Sequence, residues 1–168
     1  MWMKFLARDL AILAATAIAW PLLAPLSAGD GALSDVTGVL SGVFLAVCAY
    51  LLHEWGHLLG AAAGGSTFRL GTSLRSPSLF TYDSKRNSAG QFLAMSFAGF
   101  APTIFALWAV YALLPPDLLA TRVARGLIVF LGLLGLTLEV PLVLYTLVTR
   151  KVPPIDGAPA PQPASGAA

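Results

Sequence analysis

The chain has 168 residues, 57% of them hydrophobic and only 11% charged, with a mean hydropathy of +0.79. A water-soluble domain carries about a quarter charged residues, so this balance excludes a large soluble catalytic domain and points to an integral membrane protein. A formal net charge of +2, from ten Lys and Arg against eight Asp and Glu, supplies no basic stripe for a phosphate backbone and excludes a nucleic-acid binder.

A helix needs about 20 mostly apolar residues to cross a bilayer. Four stretches meet that length, at about 10–26, 38–63, 92–114 and 126–149. The first follows Lys4 and Arg8 as a signal peptide would. A cut after Ala28, however, would put Leu26 at the −3 position, where a small residue is required, so a retained span is the better reading. A Gly/Asp/Ser turn region at 27–35 leads into the second stretch. That stretch holds Cys48, the single cysteine, which reads as a small hydrophobe with no internal disulfide partner.

Residues 64–90 form a long polar segment. Its β-type runs at 66–74 and 79–82, separated by Arg75-Ser76-Pro77-Ser78, predict a short hairpin or a plain loop. A connector at 115–125 precedes the fourth stretch. Gly60 and Gly64, with Gly126, Gly132 and Gly135, are expected to let helices approach closely. The last residues, 153–168, are rich in Pro, Ala and Gly and are expected to be a disordered tail. The fold class expected is an all-α membrane protein, a four-transmembrane-helix bundle with a short cytoplasmic loop or β-hairpin.

Orientation follows the cations, because cytoplasmic loops collect Lys and Arg. Lys4, Arg8, Arg69, Arg75, Lys85, Arg86, Arg150 and Lys151 fall on one side of a four-pass chain, and only Arg122 and Arg125 on the other. Both termini are therefore expected in the cytoplasm, with the protein in a bacterial inner membrane.

The second stretch carries His53-Glu54-Trp55-Gly56-His57, an H-E-x-x-H pattern that uses both histidines of the chain. Four residues apart on a helix, the imidazoles stack one turn above the other and can reach a single zinc ion. Glu54 is rotated off that line and is placed to take a proton from water activated by the metal. Trp55 faces away and is expected to pack on a neighbouring helix. The plainer reading is a polar cluster that joins helices. Three ionisable groups in an apolar helix cost roughly 2.5–3.5 kcal/mol each at mid-membrane, and a metal is the stronger compensation.

Catalytic zinc takes three protein ligands and an open fourth position. With no third histidine, the third ligand is expected to be a carboxylate, and there are two candidates. Glu139 is read as the only other acid within a span. It lies eleven residues before Arg150, as His53 lies ten before Ala63, so each sits about 15 Å from the end of its helix. Pro141 beside it marks a helix that lines a cavity. Asp156, in Pro154-Ile155-Asp156-Gly157, would have to fold back into the bundle.

His53-Glu54-Trp55-Gly56-His57, followed by Ala61-Ala62 and Gly64-Gly65, resembles the site-2 protease family of intramembrane zinc metalloproteases, in which an H-E-x-G-H helix precedes small residues and a polar, partly β segment. The resemblance implies a zinc enzyme cutting membrane-spanning or membrane-adjacent peptide segments, with His53 and His57 as ligands and Glu54 as general base. Ala98-Gly99-Phe100-Ala101-Pro102-Thr103 is similar to the family's A-G-P-x-x-N element without its asparagine, for which Thr103 or a neighbour would substitute. The family's third ligand is an aspartate in an L-D-G or P-D-G motif, to which Asp156 is similar. The sequence match thus favours Asp156, and depth in the membrane favours Glu139.

The function expected is hydrolysis of peptide bonds in a membrane-protein substrate within the lipid bilayer, by a metalloprotease-like domain at 1–152. Segment 64–90 would hold the substrate as an added strand. Two alternatives stand beside it: a non-catalytic metal-binding membrane protein acting through a partner, and a small proton-linked transporter that uses Glu54, Glu139 and the histidines as a relay.

Overall fold

In the computed structural model, residues 2–74, 76 and 78–154 are described. Asp156 and the expected tail beyond residue 154, like Arg75, lie outside them. The elements run α1 (Trp2–Leu23), a 3-10 helix (Ala24–Ala28), α2 (Ala32–Ala63), β1 (Phe68–Leu70), β2 (Phe80–Tyr82), α3 (Ala89–Ala112) and α4 (Leu119–Thr149). Among the described residues, four helices are long and apolar enough to cross a membrane. At 32 residues, α2 extends about 48 Å, against a hydrocarbon core of roughly 30 Å.

The helices run past the ends of their apolar stretches. The connector expected at 115–125 shrinks to 113–118, and Arg122 and Arg125 fall in the first turns of α4. Arg125 Nε donates to the Val110 carbonyl at 2.9 Å and its Nη2 to the Leu114 carbonyl at 2.9 Å, satisfying the open end of α3. At the other end of α3, Ser88 and Gln91 form a capping box, with the Ser88 amide donating to Gln91 Oε1 at 2.8 Å. Gln91 Nε2 also donates to the carbonyls of Gly64 and Gly65, closing the end of α2.

α1 likewise begins at Trp2, ahead of the expected boundary, and this corrects the count of acids. Asp9 lies within α1 and is only 1% exposed, so Glu139 is not the only acid in a span besides Glu54. Its Oδ2 accepts the Trp55 indole N–H at 2.9 Å and its Oδ1 accepts Arg8 Nε at 2.6 Å. Arg8 also donates to the Leu74 carbonyl, so one buried carboxylate ties α1, α2 and the hairpin segment together.

α2 is the central helix, and glycines let its neighbours close on it. A Cβ at Gly38 or Gly42 would overlap Leu119 or Val123 of α4, and one at Gly56 or Gly60 would overlap the α3 segment around Ala98. Gly126 has open space instead, and Gly135 faces only Glu139 of its own helix. Close approach is therefore met at Gly60, as expected, and at Gly38, Gly42 and Gly56, while of the expected α4 glycines only Gly132 faces another helix, at an ordinary 3.6 Å from Leu107.

β1 and β2 pair antiparallel, with Phe68 opposite Tyr82, Arg69 opposite Thr81 and Leu70 opposite Phe80. The hairpin expected at 66–74 and 79–82 is thus present as two three-residue strands. Leu79 packs with Phe5 and Leu58, and Tyr82 with Phe92, Met95 and Val143, so the hairpin is seated on the ends of the helices.

Candidate metal centre

The H-E-x-x-H turn of α2 faces α3 and α4. His53 Nε2 lies 3.0 Å from His57 Nε2. It lies 3.1 Å from Glu139 Oε1, and His57 Nε2 lies 3.2 Å from Glu139 Oε2. Among the described residues, these three form the group of His, Cys, Asp or Glu side chains able to hold a metal ion. The equal depth of His53 and Glu139 counted along the chain becomes direct contact.

The second nitrogen of each imidazole decides what this contact is. His57 Nδ1 is 3.0 Å from the Met95 carbonyl, and His53 Nδ1 is 3.0 Å from the Gly99 carbonyl and 2.9 Å from Thr103 Oγ1. A carbonyl only accepts, so each Nδ1 carries the proton and each Nε2 of a neutral ring is a bare lone pair. Three acceptors then face one another with no hydrogen between them. Glu139 Oε2 fits this account: it is buried and has no hydrogen-bond partner, although an imidazole nitrogen stands beside it. Such a group could hold a metal ion at its centre.

The three donor atoms are spaced closely enough to hold one metal ion. Tetrahedral ligands at about 2.0–2.1 Å from zinc stand roughly 3.3 Å from one another, close to the spacings of 3.0, 3.1 and 3.2 Å found here. Two imidazoles with their far nitrogens on carbonyls, plus a carboxylate, are what a borderline-soft, four-coordinate ion takes.

α3 shapes the site through two residues whose roles could not be read from local pattern. Gly99 has no side chain because the His57 ring occupies its place: a Cβ there would overlap three ring atoms. Thr103, considered as a stand-in for the missing asparagine, is bonded to His53 and orients it.

Glu54 is not part of the converging trio. Its Oε2 accepts the Leu79 amide at 3.4 Å, and the Tyr50 hydroxyl one turn earlier bonds to it. Glu54 and Glu139 line two cavities. The larger, about 480 Å³, lies under the hairpin and is walled by His57, Phe80, Thr81 and Tyr82. The smaller, about 170 Å³, lies deeper among α2, α3 and α4.

Ladder hydrogen bonds join Asp83 to Thr67 and Gly71 to Leu79, so by alternation the main-chain groups of Phe80 and Tyr82 point away from β1. The larger cavity is walled by β2 and not by β1. No family model matches the chain, and neither a curated protein nor a solved structure matches it.

Proposed function

We propose that the protein is an intramembrane zinc metalloprotease of the site-2 protease kind, hydrolysing peptide bonds in membrane-spanning or membrane-adjacent segments of other proteins. The observation that carries this reading is the convergence of three bare acceptors, His53 Nε2, His57 Nε2 and a Glu139 oxygen, next to a fourth group, Glu54, that stays outside the trio. His53, His57 and Glu139 would hold the zinc. Bound there, zinc lowers the pKa of water towards about 7 and polarises a peptide carbonyl.

The rest of the chemistry falls to the chain. Glu54 accepts a proton from the attacking water and delivers it to the amide nitrogen as the C–N bond breaks, so water is consumed and a carboxylate and an amine are released. Met95, Gly99 and Thr103 hold the imidazoles in the tautomer that leaves Nε2 free. The free edge of β2 offers the main-chain groups of Phe80 and Tyr82 to an extended substrate, which exposes carbonyls that a helix would shield. With the hairpin, Lys4, Arg8, Arg150 and Lys151 on the Lys/Arg-rich side, the site would open towards the cytoplasm of a bacterial inner membrane.

The test is Glu54→Gln in protein reconstituted into lipid vesicles. Zinc content should stay at the wild-type level while peptide hydrolysis falls at least about 100-fold. Undiminished hydrolysis would overturn the reading. Proton transport by zinc-free protein would favour the relay that the same four side chains can form.

A further inference from the structure

The smaller cavity borders the candidate metal centre through His53 and Glu139 and takes no part in seating a strand. Its walls are Ala49, Ala106, Ile128, Leu131, Gly135 and Leu138, and its mouth is His53, Glu54 and Glu139. Two polar groups reach it besides those at the mouth, and both are engaged: Thr103 Oγ1 at His53 and the Tyr50 hydroxyl at Glu54. An occupant is therefore offered mainly apolar contact, with the Glu54 and Glu139 carboxylates as acceptors at one side. The volume, about 170 Å³, slightly exceeds the roughly 150 Å³ of an apolar cavity that accepts benzene.

A peptide in the hairpin-side cavity with its carbonyl carbon at the histidines has this pocket within the reach of one residue, about 3.5 Å along the chain. Glu54 and Glu139 border both spaces, so the scissile bond and the pocket share a wall.

We propose that this chamber is a specificity pocket which takes the branched aliphatic or aromatic side chain of the residue adjoining the scissile bond, with Ala106 and Gly135 setting its size. The proposal rests on the protease reading and adds the class of residue cut. Small residues at those two positions leave the space. At Gly135 an added Cβ meets nothing closer than Glu139 Oε1 at 3.5 Å, an ordinary contact, so the position can be enlarged without a clash.

The experiment uses phosphatidylcholine vesicles carrying the full-length protein and bilayer-inserted test peptides, with Phe, Leu, Met, Ala or Gly placed through the cut segment. Cleavage positions are read by mass spectrometry. The wild type should favour Phe, Leu or Met over Ala at one position beside the cut by at least about tenfold. Gly135→Ala and Ala106→Val should each move the Phe/Ala ratio towards Ala by a similar factor, with zinc content reporting that the fold is intact.

A flat preference, or one that neither substitution moves, overturns the pocket and leaves the protease reading standing. An acyl chain occupying the chamber through the apolar α3–α4 cleft, with which it shares His53, Thr103, Leu131 and Gly135, would give that flat profile. If no form hydrolyses any peptide, the protease reading fails. The same Phe/Ala ratio is then read from peptide binding to the zinc-loaded Glu54→Gln protein, where equal affinities also overturn the pocket.

Discussion

Replacing Gly99 with alanine adds one carbon at the point where α3 touches the candidate metal centre. The His57 ring lies over the Gly99 Cα, and the new Cβ would overlap its Cε1, Nδ1 and Nε2. Carbon contacts are comfortable only near 3.5–4.0 Å, so the ring or the helix must retreat by on the order of 1 Å. Ligand distances tolerate about 0.2 Å, which means that His57 leaves its position or loses its Nδ1 bond to Met95. Losses of that kind cost about 10–100-fold in metal affinity. Overpacking adds about 1–3 kcal/mol of destabilisation, offset by up to about 1 kcal/mol from alanine's better helix propensity. Titration of zinc against a competing chelator, in detergent, reads the first effect, and thermal unfolding of the same samples reads the second. Gly126→Ala is the control, because nothing lies within 4 Å of a Cβ there. Wild-type zinc affinity in Gly99→Ala would refute the packing argument and the assignment of His57 with it.

Thr103→Val keeps the Gly99 carbonyl on His53 Nδ1 but removes the hydroxyl. Zinc affinity should drop by about tenfold, less than for Gly99→Ala, in the same titration. Asp9→Ala leaves the Trp55 N–H and the Arg8 Nε–H without their acceptor, while Arg8 keeps its bond to the Leu74 carbonyl. It should cost about 1–3 kcal/mol in thermal unfolding, and an unchanged transition would mean that the junction carries no stability. Ser88→Ala breaks the capping box of α3 and should lower stability by about 0.5–2 kcal/mol while leaving zinc binding untouched, as unfolding and titration together would show.

The two histidines and Glu139 were legible because each inference needs only one helix at a time. Spacing of four stacks the rings, and a rise of 1.5 Å per residue sets the two depths without knowledge of how the helices meet. What depends on the meeting was not legible. Gly99 and Thr103 act on residues some forty to fifty positions away, through a register between α2 and α3 that neither helix encodes alone. The Gly38/Gly42 and Gly56/Gly60 pairs are present in the chain at four-residue spacing, yet only the packed bundle distinguishes them from the α4 glycines, which meet no such crowding. Asp9 escaped because it follows Arg8 at the edge of an apolar run, where a charge reads as solvated. The chain continues the helix past that edge and buries the carboxylate against Trp55. The hairpin was visible as two β-type runs, but its length was not, since only three residues of each run pair.

The central claim is that His53, His57 and Glu139 grip one metal ion, and metal content measures it directly. Purified wild-type protein should carry about one zinc per chain, Asp156→Ala should carry the same, and His53→Ala and Glu139→Ala should carry none. Wild-type protein free of metal, or a Glu139→Ala protein that keeps its zinc while Asp156→Ala loses it, would contradict the account.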